Sequence, residues 1–119
     1  MKRPITPAAH GAIDYALLAA QLTVPRLLRL SDRARLVFGT FGVVQGVLNA
    51  VTDQPLAVRR IVPFALHGQI EKASAPVYAL VPLLAGAASQ RRDRAYWLAM
   101  GAVLVANFNL TDYQATPKR

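Results

Sequence analysis

The chain lacks cysteine entirely, and its 119 residues include only six acidic side chains and two histidines. Without cysteine there is no disulfide framework, no thiolate metal site and no thiol chemistry. Charged residues make up 17% of the chain and apolar residues 54%, whereas an ordinary soluble domain is about 25% charged. The shortage of acidic residues leaves a net charge of +8, which suits nucleic acid, an anionic membrane surface or acidic ligands.

Several motifs that carry chemistry are also missing from the sequence. We find no phosphate loop, no dinucleotide fingerprint, no H-E-x-x-H pair and no serine in a nucleophile motif with a histidine. No basic patch is interleaved with aromatic residues in the manner of a nucleic-acid interface. The sequence therefore predicts neither an enzyme nor a nucleic-acid partner.

What the chain does have is long uncharged segments. Seventeen uncharged residues separate Arg35 from Asp53, and 18 separate Lys72 from Arg91. A 17-residue helix is about 25 Å long, close to a hydrocarbon core of about 30 Å, and flanking arginines can snorkel. The sequence predicts an all-α fold, a four-helix transmembrane bundle with helices near 8–29, 34–52, 61–88 and 95–111. The alternative is a soluble four-helix bundle with an apolar surface.

This interpretation has consequences for location and partners. We predict one membrane domain over residues 1–119, in a multi-pass protein of a bacterial inner membrane. The lipid bilayer is then the main partner, and the basic loops contact anionic lipid headgroups. A homo-oligomer or a larger membrane complex is a further predicted partner.

The chain is also an internal duplication. His10-Gly11 and His67-Gly68 are 57 positions apart, and Thr52-Asp53 and Thr111-Asp112 are 59 apart. We place repeat 1 at about 5–53 and repeat 2 at about 62–112. Each repeat is predicted to be a helical hairpin, so the bundle consists of two tandem hairpins related by an axis along the membrane normal.

The motifs of the repeat carry a likeness to a known family. The pattern is HGxxDY, a proline fifteen residues after the histidine, a helix ending in TD, and a second HG with a second proline. It resembles the SPW-repeat family of small bacterial membrane proteins over nearly the whole chain. The resemblance implies two helical hairpins in a membrane and no assigned activity. The residues that fit are His10, Gly11, Asp14, Tyr15, Pro25, Asp53, His67, Gly68, Pro82 and Asp112. Arg26 and Leu83 stand where the family has tryptophan, and Glu71-Lys72 stands where it has DY.

The duplication should gather the ionisable side chains at one end of the bundle. Residues i and i+4 share one side of a helix, so His10 projects with Asp14 and His67 with Glu71. Asp53 and Asp112 end helices at the same level and need partners there, because a helix C-terminus disfavours an anion. We predict two pseudo-equivalent His–carboxylate clusters that clamp helix ends, in a protein with a structural or accessory role and no cofactor.

Three alternatives stay open from the residues. A divalent metal would use His10, Asp14, Asp53, His67, Glu71 and Asp112, since imidazole and carboxylate suit zinc, manganese or iron. Haem would use His10 and His67 as axial ligands. A small ion- or proton-conducting oligomer would use a polar track through Gln45 and Asn49, although these amides also serve as hydrogen-bonding links between helices.

Overall fold

The computed structural model describes residues 2–118 and contains four helices. They are α1 (Pro7–Leu27), α2 (Asp32–Ala50), α3 (Phe64–Leu84) and α4 (Arg91–Leu110). Helices that follow one another in the chain pack side by side, in a body of 43 × 28 × 20 Å. The predicted all-α class and the count of four helices are confirmed for this part of the chain.

The prediction that these helices cross a membrane was wrong. No helix between residues 2 and 118 has an apolar stretch of the length and hydropathy that a membrane crossing needs. The physical reason is that polar side chains interrupt the helices: α3 carries His67, Glu71 and Lys72, and α4 begins with the charged run 91–94. The predicted location in a bacterial inner membrane depended on these spans and was wrong with them.

Local sequence signals explain where the helices begin. The side-chain oxygens of Thr6 and Ser31 accept hydrogen bonds from the backbone amides of Ala9 and Ala34, each at 3.2 Å. Such caps satisfy amides that have no partner within the helix. Pro7 follows Thr6 in the first turn of α1, where its missing N–H costs nothing.

In both hairpins a residue in the left-handed conformation follows the first helix at an equivalent position. Gly86 follows α3 at φ +71°, and Arg29 follows α1 at φ +56°. In each case the next amide reaches back to a proline carbonyl, Leu30 to Pro25 at 2.9 Å and Ala87 to Pro82 at 2.8 Å. The third helix was predicted to continue to residue 88, but this turn ends it at Leu84.

This turn predicts opposite effects for two substitutions. A left-handed conformation costs a non-glycine residue about 1 kcal/mol, so Arg29→Gly should raise the free energy of unfolding by about 0.5–1 kcal/mol. Gly86→Ala should lower it by at least about 1 kcal/mol, because the new Cβ would also lie 3.2 Å from Arg33 Cδ. Urea unfolding curves measure both. Equal midpoints for the wild type and the two variants would contradict this account.

The core has an apolar part and a polar part. The apolar cluster lies toward the α1–α2 and α3–α4 turns, where the rings of Phe38 and Tyr96 meet at a centroid distance of 4.8 Å. Its buried members are Leu17, Leu30, Ala34, Phe38, Ala87, Tyr96 and Met100. At the other end the fully buried side chains are mostly polar, namely His10, Asp14, Asn49, Thr52, Gln54, His67 and Thr111. The polar end contains the candidate site.

At the polar end, the start of each hairpin pairs with the end of the other hairpin. Ile5, just before α1, pairs with Thr111 at the end of α4, and Val62, just before α3, pairs with Thr52 at the end of α2. The start of each repeat is therefore bonded to the end of the other in equivalent positions. This exchange is the relation expected of two copies around a pseudo-twofold axis.

Candidate metal centre

Helices α1 and α3 bring four of the predicted site residues to one point. His10 Nε2 lies 3.3 Å from His67 Nε2, and the nearest carboxylate oxygens belong to Asp14 and Glu71. The nitrogen–oxygen distances are 3.1 and 3.2 Å to Asp14 Oδ2, and 3.3 and 2.9 Å to Glu71 Oε1. The four donor atoms lie within 4.8 Å of one another. The structure thus contains one shared cluster, where the sequence predicted two.

The cluster is set deep in the bundle. The side chains of His10, His67 and Asp14 are at most 1% exposed, whereas that of Glu71 is 20% exposed. Phe64 covers both imidazoles, stacked on His67 and edge-on to His10. Glu71 therefore marks the side of the cluster that faces solvent.

A pair of threonines fixes the orientation of the imidazoles. Thr111 Oγ1 donates to the carbonyl of Asn107 at 2.6 Å, and Thr52 Oγ1 donates to that of Leu48 at 2.6 Å. Each hydroxyl has then used its only proton, so it accepts from a histidine Nδ1–H. The distances are 2.8 Å for His10 and 2.7 Å for His67. In the neutral imidazoles, both Nε2 lone pairs consequently point into the cluster.

Each carboxylate presents one oxygen to the cluster and has the other oxygen held by a donor outside it. Asn107 Nδ2 donates to Asp14 Oδ1 at 3.2 Å, and Tyr113 Oη donates to Glu71 Oε2 at 2.5 Å. The inward oxygen, Asp14 Oδ2, is buried and lies 3.1 and 3.2 Å from the two Nε2 atoms, but neither contact has the geometry of a hydrogen bond. A buried carboxylate is costly without a positive charge beside it, so this atom requires either protonated imidazoles or a metal cation.

The pKa values of the cluster show how strongly its groups interact. Burial alone lowers the pKa of His10, but the carboxylates of Asp14 and Glu71 outweigh burial and raise it to about 9. The pKa of His67 is raised for the same reasons. Burial tends to raise the pKa of Glu71, yet the two imidazoles lower it well below its usual range. At neutral pH, protons on the imidazoles therefore balance the carboxylates when no other cation is present.

The Tyr113 hydroxyl is held as a donor. Burial, and then the charge of Glu71, raise the pKa of Tyr113 far above its ordinary value. The phenol therefore keeps its proton throughout the range in which proteins are folded. Its hydrogen bond to Glu71 does not depend on pH between about 5 and 9.

The other two predicted residues lie outside the cluster. Asp53 forms an ion pair with Arg60 at 3.0 Å, and Asp112 Oδ1 accepts from the amide of Gln114 at 3.2 Å. We expected the imidazoles to compensate these carboxylates at the helix ends. The histidines instead contact the threonine before each aspartate, because Thr52 and Thr111 face inward and are fully buried.

The glycines after the two histidines have a packing role. A Cβ at Gly11 would lie 2.2 Å from Gln54 Oε1, and a Cβ at Gly68 would lie 2.6 Å from the ring of Tyr113. Gln54 and Tyr113 each follow a Thr-Asp pair, so the two contacts are equivalent in the duplication. Each glycine thus lets the residue after a Thr-Asp pair, Gln54 or Tyr113, pack directly on the helix backbone beside the histidine.

Sequence reasoning missed the residues that support the ligands. Thr52 and Thr111 appeared only as part of the aligned Thr-Asp pairs, and Tyr113 had no assigned role. Asn107 was not predicted to support the cluster either. The recurrence of threonine at matching positions was the available signal, whereas nothing in the sequence indicated Tyr113. Gln45 and Asn49 do link helices, donating to the α1 carbonyls of Asp14 and Gly11 at 2.9 Å each.

Comparison with family models, with curated proteins and with solved structures found no match to this chain. The likeness to the SPW-repeat family therefore stays a prediction. Any function has to be argued from the cluster itself.

Proposed function

We propose that the protein binds one divalent transition-metal ion, with Zn²⁺ as the best fit, between its two hairpin repeats. The ligands are His10, Asp14, His67 and Glu71, one imidazole and one carboxylate from each repeat. The observation that carries the proposal is the convergence of four possible ligand atoms within 4.8 Å of one another, among them the buried Asp14 Oδ2, which lies 3.1 and 3.2 Å from the two Nε2 atoms without hydrogen-bond geometry to either. A cation at this point would satisfy all four donors.

The spacing of the donors supports a tetrahedral ion. Zinc lies about 2.0–2.2 Å from nitrogen and oxygen ligands, which puts tetrahedral ligands about 3.3–3.6 Å apart. The measured separations that involve Nε2 run from 2.9 to 3.3 Å. The side chains would have to move apart by a few tenths of an ångström to reach tetrahedral spacing. Calcium would need six to eight oxygen ligands, which this cluster does not supply.

Charge and second-layer contacts also support a bound cation. Two carboxylates and two neutral imidazoles carry a charge of about −2, which a divalent ion neutralises in a buried place. Metal-bound histidines usually donate their other N–H to an oxygen, which fixes the ring. Thr52 and Thr111 accept such bonds here, and Asn107 and Tyr113 orient the carboxylates.

Haem has weaker support as the ligand. A macrocycle held by His10 and His67 would have to lie between the two rings. The ring centroids are only 5.1 Å apart and nearly perpendicular, and Asp14 and Glu71 each present an oxygen at the level where the macrocycle would lie. These contacts favour a single ion.

A second candidate is a metal-free clamp with a purely structural role. The raised pKa of His10, to about 9, favours this function, because an imidazolium between two carboxylates also ties α1 to α3. In this case the cluster holds the two hairpins together and binds nothing. The two candidates differ in whether a metal replaces the protons.

Metal titration distinguishes the two candidates. We expect the metal-free protein to bind one Zn²⁺ per chain in calorimetry, with release of protons. His10→Gln and His67→Gln should each weaken this binding at least about 100-fold, because each removes a ligand. Asp112→Asn is the matched control, since it alters a nearby carboxylate that lies outside the cluster, and it should bind as the wild type does. A wild type that takes up no Zn²⁺, Co²⁺ or Fe²⁺ would leave the clamp as the function of the cluster.

A further inference from the structure

The second oxygen of Glu71 is the feature of the cluster that decides how many ligand atoms an ion would receive. A carboxylate can bind an ion through one oxygen or two. Glu71 Oε1 faces the imidazoles, at 2.9 Å from His67 Nε2, while Oε2 accepts the hydroxyl proton of Tyr113 at 2.5 Å. As long as that bond persists, Oε2 is not available to an ion.

We propose that Tyr113 is a positioning residue that keeps Glu71 a one-oxygen ligand and thereby makes the centre selective for ions that prefer four ligands. The inference rests on the proposed metal function and adds its specificity. With Tyr113 in place, the ion receives two nitrogens and two oxygens. That set suits Zn²⁺ and Co²⁺, whereas Mn²⁺ favours six oxygen-rich positions.

The surroundings of Tyr113 hold its hydroxyl in place. Its ring lies on Gly68, where no side chain intervenes, and packs edge-on against His10 at a centroid distance of 5.3 Å. Phe64 and Phe108 pack against the same ring, with centroid distances of 5.3 and 5.4 Å. A ring fixed on several sides has little freedom to withdraw its hydroxyl from Glu71. Asp14 has a corresponding bond, because Asn107 Nδ2 donates to its outer oxygen Oδ1 at 3.2 Å.

Substitution of Tyr113 by phenylalanine isolates the hydroxyl. Tyr113→Phe keeps the ring and its packing but frees Glu71 Oε2, which can then join the ion as a fifth donor. Tyr15→Phe is the matched control, because the Tyr15 hydroxyl donates to the carbonyl of Leu56 at 2.9 Å, away from the cluster. The double variant Tyr113→Phe/Glu71→Gln tests the cause, since an amide offers only one oxygen to an ion.

Cobalt absorption spectra and zinc-to-manganese competition give the readouts. We expect intense visible bands, typical of four-coordinate Co²⁺, in the wild type and Tyr15→Phe. Tyr113→Phe should show weaker five-coordinate bands and a roughly tenfold lower preference for Zn²⁺ over Mn²⁺. The double variant should regain the intense bands at lower affinity. Unchanged bands and preference in Tyr113→Phe, with a four-coordinate wild type, would overturn the role of Tyr113 alone. A wild type that binds no Co²⁺ and no Zn²⁺ would overturn the metal function and this inference together.

Discussion

Replacing Asp14 by asparagine should be the most damaging single change to the cluster. The variant keeps the shape of the side chain but removes the charge that faces both imidazoles, at 3.1 and 3.2 Å. Removing one partner of a buried charged group costs about 3–5 kcal/mol. We therefore expect Asp14→Asn to lower the free energy of unfolding of the metal-free protein by about 3 kcal/mol at pH 6. Its melting temperature should fall by about 10 °C.

Denaturant unfolding of the metal-free proteins measures this effect. Asp112→Asn is again the control, and we expect it to stay within about 0.5 kcal/mol of the wild type. Asp14→Asn should also lose zinc binding by at least about 100-fold, because it replaces a carboxylate ligand. If Asp14→Asn were as stable as Asp112→Asn, the buried carboxylate would not be paired with the imidazoles.

Above about pH 6.5, a rise in pH should lower the stability of the metal-free protein and raise its metal affinity. The folded-state pKa of His10 is about 9, above its ordinary value of 6.5. Stability from its protonation is therefore fully present below pH 6.5 and is lost as the pH rises through about 9. This shift corresponds to about 3 kcal/mol, and the raised pKa of His67 acts in the same direction.

At acidic pH, the stability of the metal-free protein should change with pH in the opposite direction. The pKa of Glu71 is lowered on folding, so its contribution is present above its ordinary pKa of 4.5 and is lost as the pH falls through the folded-state value. The cluster should therefore stabilise the metal-free protein most between about pH 4.5 and 6.5. Urea unfolding from pH 4 to 9.5 measures this profile. Zinc affinity, measured in parallel, should rise between pH 6.5 and 9, because the metal then displaces fewer protons. A metal-free protein that gains stability over that interval would refute the assignment of raised histidine pKa values.

The sequence predicted the positions of the helices well, but it wrongly predicted that they lie in a membrane. Long uncharged segments do mark α2 and α3, but uncharged is not the same as apolar. Gln45 and Asn49 make α2 less hydrophobic than its lack of charge suggests, and three ionisable residues lie within α3. The ends of the helices depended on capping side chains and on one left-handed turn per hairpin. Of these, Gly86 is visible in the sequence and Arg29 is not.

The sequence predicted the four residues of the cluster, but not the residues that hydrogen-bond to them. Helical spacing pairs His10 with Asp14 and His67 with Glu71, and the duplication places the pairs at one level. At a helix end, however, neighbouring residues point about 100° apart, so the aligned Thr-Asp pairs did not show which member faces inward. Tyr113 lies beyond the last helix, where no periodicity fixes the direction of the chain.

The crossed pairing of the hairpins has a consequence for the origin of the fold. Each histidine draws its threonine from the other repeat, and each start segment bonds to the other repeat's end. A lone hairpin therefore has one imidazole and one carboxylate of the cluster, but its histidine does not contact its own threonine. If the gene arose by duplication, a single-hairpin ancestor would have brought two histidines and two carboxylates together only as a dimer, with the cluster on the twofold axis.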